Sequence, residues 1–151
     1  MIHVTFICTG NICRSAMAEG YLKYRIKEIG KETEVVVNSA GVYAMQGEES
    51  PTNAKCAIEK YGANINSHTA TTLERANLSQ ATHILVMTER HKKDVISRYP
   101  NVADKVKLLG EYAKDKKYKE IDDPWGYSFE VYEKCAKEIV DSIEGFIEKE
   151  L

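Results

Sequence analysis

VTFICTGNICRSAMA, residues 4–18, is the stretch whose reading decides the fold. It opens as an apolar run rich in β-branched residues, the composition of a strand buried on both faces. A Thr-Gly-Asn step follows, and helical spacing resumes from about Arg14. A cysteine therefore stands at the carboxyl end of a strand, and an arginine six positions later opens a helix. The loop between them, Cys8-Thr9-Gly10-Asn11-Ile12-Cys13-Arg14, is short enough for its backbone N–H groups to converge. Such a nest at a helix N-terminus binds a tetrahedral dianion. Arg14 can add two parallel charge-assisted hydrogen bonds to the same anion. Cys8 is expected at the floor of this positive cup, a setting that suits a nucleophilic sulfur. Taken singly, Gly10 could only mark a turn, Asn11 a left-handed residue and Ser15 a helix cap. Together they make a phosphate cradle with a nucleophile beneath it, which is a site for cleaving phosphate esters.

Outward from this loop the chain alternates strands and helices. The spacing predicts strands at His3 to Cys8, Thr33 to Ser39, Thr82 to Met87 and Lys105 to Leu109, with Val35, Val36 and Val37 as the apolar heart of the second. It predicts helices from Arg14 to about Glu28, from Ser50-Pro51 to Gly62, from Thr88 to Tyr99, and a long closing helix that carries Tyr132, Cys135, Ile139, Ile143 and Phe146. Ser50 is read as a cap with Pro51 at the first helical position, and Thr71-x-x-Glu74 as a capping box. The segments Ala40 to Glu49 and Glu111 to Glu120 read as loops, the second lysine-rich and without a core face. Four β/α alternations imply a three-layer α/β/α fold with a four-stranded, mostly parallel central sheet, spanning 1–151 as one domain. Ligands of such sheets bind beyond the carboxyl ends of the strands, where Cys8 lies.

Composition narrows the function classes. A chain of 151 residues, 43% hydrophobic and 29% charged, with a formal net charge of −2, points to neither nucleic acid nor a membrane surface as partner. The absence of a leader pattern implies a cytoplasmic protein with reduced thiols. The cysteines Cys8, Cys13, Cys56 and Cys135 lack the paired spacing of a zinc site, so no metal is expected. Cys56 and Cys135 read as core thiols.

A phosphate ester also needs a proton for its leaving group. Asp122-Asp123-Pro124-Trp125 is the candidate source, since Pro124 holds Asp123 extended and can aim its carboxyl. Standing alone, it would be only a charged turn before a proline. His68 is placed near the loop, beside Asn11 or Ser15. His3, His83 and His91 form no constellation.

These residues resemble the low-molecular-weight protein tyrosine phosphatases. The family's C-x5-R-S loop matches Cys8 to Ser15, and its late Asp-Pro-aromatic step matches Asp123-Pro124-Trp125. The resemblance implies that Cys8 is the nucleophile, Arg14 the phosphoryl clamp and Asp123 the general acid, then base. It further implies phosphate contacts from Thr9, Gly10, Asn11, Ile12 and Cys13. Ser15 would donate to the Cys8 sulfur, with Asn11 and His68 shaping the loop. Cys13 matches a loop cysteine able to form a reversible disulfide with the nucleophile. The implied partners are a phosphorylated protein or peptide and inorganic phosphate as product, with no cofactor, acting as a monomer or weak dimer.

Two departures bear on substrate. Gly126 stands where many phosphotyrosine enzymes carry a second aromatic, leaving Trp125 and Tyr43 to wall the site. That form resembles the branch containing bacterial protein arginine phosphatases, which typically has Thr where this loop has Ile12. An isoleucine suits a flat aromatic ring, so phosphotyrosine is the first expectation and phosphoarginine the alternative. The arsenate reductases of the same fold need further relay cysteines, and Thr82 to Tyr99 has none. A phosphoprotein-binding module without turnover would need neither Cys8 nor Asp123.

Overall fold

The computed structural model describes residues 1–151. Strands β1 (Ile2–Cys8), β2 (Val35–Gly41), β3 (His83–Val86) and β4 (Val106–Leu108) form one sheet in the order β2-β1-β3-β4, all neighbours parallel. Helices α1 (Arg14–Glu28), α2 (Thr52–Glu59) and α4 (Phe129–Glu150) cover one face, and α3 (Glu89–Arg98) covers the other. The three-layer α/β/α arrangement follows from β1, which is central and buried on both sides. Its Val4, Phe6 and Cys8 point into the core under α1 and α4. Ile7 points the other way, to Ile84, Val86 and Val95. A period of two with both faces apolar gives the unbroken hydrophobic run.

The register Ile7↔Val86 and Cys8↔Gly41 brings the carboxyl ends of three strands to one edge. Behind them, α1 and α4 are clasped together. Arg25 makes a two-pronged contact with Glu144 at 2.7 and 3.0 Å, and Tyr21 Oη donates to Glu144 at 2.7 Å. The Arg25 hydrogen bonds hold the Glu144 carboxyl below its ordinary range. This clasp fixes α4, and with it the segment that leads into α4 past the end of β1. No helix is long and apolar enough to cross a membrane.

Several local expectations are corrected. Pro51, not Ser50, occupies the cap position of α2, and Ser50 Oγ is buried without a partner. The Thr71 box makes no cap, because only a 3₁₀ turn, Leu73–Arg75, forms there, with Thr72 at its cap and no side-chain bond. β2 runs on to Gly41, and Val36 is 44% exposed because β2 is an edge strand. The 111–120 segment does reach the core: Tyr112 and Ala113 are buried, and Tyr118 Oη bonds the Glu138 carbonyl and Asp141. Cys56 is exposed on α2, whereas Cys135 is buried as expected.

Gly145 lies where α4 crosses this segment, and a Cβ there would collide with the Tyr112 carbonyl oxygen. Gly145→Ala is expected to destabilise the protein by about 1–3 kcal/mol through overpacking, although Ala normally favours a helix. Urea unfolding of the variant measures this, and a neutral or stabilising result would mean that α4 shifts freely against Tyr112.

Candidate active site

Residues 8–14 turn from β1 into α1 at the carboxyl edge of the sheet. The turn is held from inside by Asn11, fully buried and left-handed with φ 58°. Its Oδ1 accepts from the Thr71 amide at 2.8 Å, which fixes the amide's orientation. Nδ2 then donates to Ser15 Oγ and Ser39 Oγ, both at 2.8 Å. Its backbone carbonyl meets His68 Nε2 at 2.7 Å. Ser39 in turn donates to Glu19. Gly41 lets β2 approach, since a Cβ there would sit 2.5 Å from the Thr9 carbonyl oxygen.

Ser15 Oγ accepts from Asn11 Nδ2 and lies 2.9 Å from Cys8 Sγ, so its own hydrogen can be given to the sulfur. Backbone bonds in the turn use the carbonyls of Cys8, Thr9 and Cys13 but no amide from Thr9 to Cys13. Those N–H groups stand at the N-terminus of α1, whose dipole adds positive charge. Arg14 is 3% exposed. Its Nη1 donates to the Ile121 carbonyl at 2.9 Å, and its Nε is buried without a partner. A buried guanidinium donor with nothing to donate to is an anion site by construction.

The opening above is a cleft of about 280 Å³ lined by Cys8, Thr9, Gly10, Ile12, Cys13, Arg14, Glu48, Asp123 and Trp125. Asp123 Oδ2 lies 3.7 Å from Arg14 Nη2, and its side chain is half exposed. Its Oδ1 accepts from the Trp125 amide at 3.0 Å, so the Asp-Pro-Trp turn aims the carboxyl. Asp122 instead lines a separate groove with Lys134 and Lys137. The cleft thus brings together a cysteine sulfur, converging N–H donors and a carboxyl at its mouth, groups with which displacement at phosphorus can be carried out.

The profile of the family described as low molecular weight phosphotyrosine protein phosphatase matches residues 3–151. The chain belongs to this family. A protein-arginine-phosphatase from Geobacillus stearothermophilus is 34% identical over 97% of this chain and 94% of its own. The low molecular weight protein-tyrosine-phosphatase PtpB of Staphylococcus epidermidis is 32% identical over 93% and 94%. Among solved structures, the low molecular weight protein tyrosine phosphatase of T. tengcongensis is 37% identical, with a TM-score of 0.89 over 99% of both chains.

In this low-molecular-weight phosphatase, most of the residues expected at the site converge there. Tyr43 does not: it is 64% exposed, outside the cleft, and Arg98 stacks over its ring at 5.2 Å. Two further residues join the site. Glu48 lines the cleft from the irregular segment after β2, where no periodicity marks it. His91, 4% exposed, places Nε2 2.8 Å from Thr9 Oγ1. Its signal was available, because it lies three residues beyond Thr88, the cap of α3, next to the end of β1.

Burial, with Arg14 and Arg90 nearby, pulls the His91 imidazole down to about 4. The unfolded chain, titrating near 6.5, takes up a proton that the folded protein refuses. Stability is therefore full above about pH 6.5 and falls as the pH drops toward 4. Melting temperatures at about pH 7 and about pH 5 should fall less for His91→Gln than for the native protein. Equal losses would show that this imidazole is not held neutral.

Proposed function

We propose that the protein hydrolyses protein phosphotyrosine through a cysteinyl-phosphate, with Cys8 as nucleophile, Arg14 as phosphoryl clamp and Asp123 as general acid, then base. The observation that carries this reading is the single cleft holding Cys8, Arg14 and Asp123 between Ile12 and Trp125. Phosphate oxygens meet the Thr9–Cys13 amides and Arg14 Nε. Cys8 Sγ attacks phosphorus as the phosphorus–phenol oxygen bond breaks, and Asp123 protonates the departing phenolate. A water then attacks the thiophosphate, giving its proton to Asp123 and releasing inorganic phosphate and the thiolate. No step calls for a metal. The family match and the one continuous sheet support reading 1–151 as one phosphatase domain.

Ile12 and the Trp125 ring give the cleft apolar walls suited to a phenyl ring. The second reading, phosphoarginine, is favoured by the similarity to the Geobacillus enzyme and by Gly126, which keeps the mouth open beyond Trp125 with φ 84°. We weight Ile12 more heavily because it lies inside the cradle. Cys13, in the same loop, is buried against Tyr132 and its thiol is pushed up to about 12 by that burial. We read it as the partner of Cys8 after oxidation by a peroxide, which would turn the Cys8 thiolate into a sulfenic acid: that acid would condense with the Cys13 thiol and release water. A reducing, cytoplasmic setting would reverse the bond.

Matched phosphotyrosine and phosphoarginine peptides, compared by kcat/KM in chelator-containing buffer, decide between the substrates. Preference for phosphotyrosine is expected, and preference for phosphoarginine would overturn the weight placed on Ile12. Cys8→Ser should abolish turnover while retaining oxyanion binding. Asp123→Ala should lower kcat by roughly 10²–10⁴-fold, and an unchanged kcat on a poor leaving group would remove Asp123 from its role.

A further inference from the structure

The buried imidazole of His91 takes no part in the scheme above, yet its ring is bracketed by two hydroxyls. Nδ1 lies 3.2 Å from Thr88 Oγ1, which itself accepts from the His91 amide as the cap of α3. Nε2 lies 2.8 Å from Thr9 Oγ1 across the sheet edge. Thr9 is an exposed residue at the rim of the cup. Its Oγ1 also accepts from Arg14 Nη2 at 3.4 Å. That same nitrogen faces Asp123 Oδ2 at 3.7 Å.

We propose that His91 is a positioning residue which, by fixing the Thr9 hydroxyl, sets the pose of the Arg14 guanidinium between the phosphoryl group and Asp123. The proposal rests on Arg14 being the phosphoryl clamp.

The geometry gives the reason. Nη1 of Arg14 is anchored at one point, the Ile121 carbonyl. A planar group held at one nitrogen can still pivot, and a second acceptor on the other nitrogen removes that freedom. Thr9 Oγ1 supplies it. In either tautomer of a neutral ring, Nε2 and Thr9 share one hydrogen, and an oxygen lone pair is left for Arg14. Without His91, Thr9 samples its other rotamers, and Nη2 turns toward its remaining neighbour, the Asp123 carboxylate. The unpaired Nε then leaves its aim on the phosphoryl oxygens, and the Asp123 carboxyl is drawn from the mouth of the cleft.

Two amide variants separate this role from simple support of α3. Asparagine at 91 places its amide where Nδ1 lies and keeps the Thr88 contact only. Glutamine places its amide where Nε2 lies and keeps the Thr9 contact. The readouts are the inhibition constant of orthovanadate and the separate kcat and KM for p-nitrophenyl phosphate. Loss of one hydrogen bond to a charged group, here a long one, is worth roughly tenfold. His91→Asn is expected to weaken orthovanadate and raise KM roughly tenfold, with kcat also reduced. His91→Gln should stay within a few-fold of native. Thr9→Val, at an exposed position, should match His91→Asn, and the His91→Asn/Thr9→Val pair should be no worse than either alone. Equal effects of His91→Asn and His91→Gln, or a Thr9→Val effect that multiplies fully in the double variant, would overturn the proposal. Arg14→Ala is the separate control: if it leaves orthovanadate binding unmoved, the clamp assignment itself fails.

Discussion

The side-chain amide of Asn11 is the constraint on which the rest of the site depends. A left-handed non-glycine residue costs of order 1–3 kcal/mol, and burying an amide costs more unless every polar atom is satisfied. Both costs are offset at once here. Thr71 fixes the oxygen, Ser15 and Ser39 take the two hydrogens, and His68 meets the backbone carbonyl. Glycine would adopt the turn without holding it. The bond from Asn11 to Ser15 also leaves the serine hydrogen for Cys8. One residue thus shapes the cradle and holds the serine hydroxyl beside the Cys8 sulfur.

Around this centre the fold supplies three supports of different kinds. β2 closes on one side through Gly41 and Ser39. The α1–α4 clasp holds the path of Ile121 to Trp125, so that a backbone carbonyl reaches Arg14 and a carboxyl reaches the mouth. On the far side α3 contributes a neutral imidazole instead of another charge, which avoids a second buried cation beside Arg14. The cup is therefore assembled from distant segments that share only the carboxyl edge of the sheet.

How much of this could be read from the sequence follows from range. The β1 loop was readable because its strand, turn, cysteine, arginine and helix are contiguous and each enforces the next. Long periodic elements such as α1 and α4 were readable for the same reason. Ser50 and Thr71 were misread because cap chemistry depends on where the neighbouring backbone goes, and there the sheet edge and tertiary packing decided it. Val36 and Cys56 looked like core because composition does not say which strand is the edge or which helix face looks outward. Chemical type alone points Tyr43 toward the site, whereas in the fold Arg98, a long-range neighbour, stacks over its ring. His91 carries no mark of its partner in the sequence pattern because Thr9 lies 82 positions away, and only the β1–β3 adjacency brings them together.

The unpaired Nε of Arg14 and the free turn amides have a consequence for the folded state as a whole. Donors that the protein cannot satisfy are a standing cost of the native structure. An oxyanion that satisfies them adds its binding free energy to native-state stability by mass action. Inorganic phosphate, the product of the proposed reaction, is such an anion. Under that reaction, accumulating product would protect the fold by the same contacts through which it blocks turnover, and the protein would be most durable when least active.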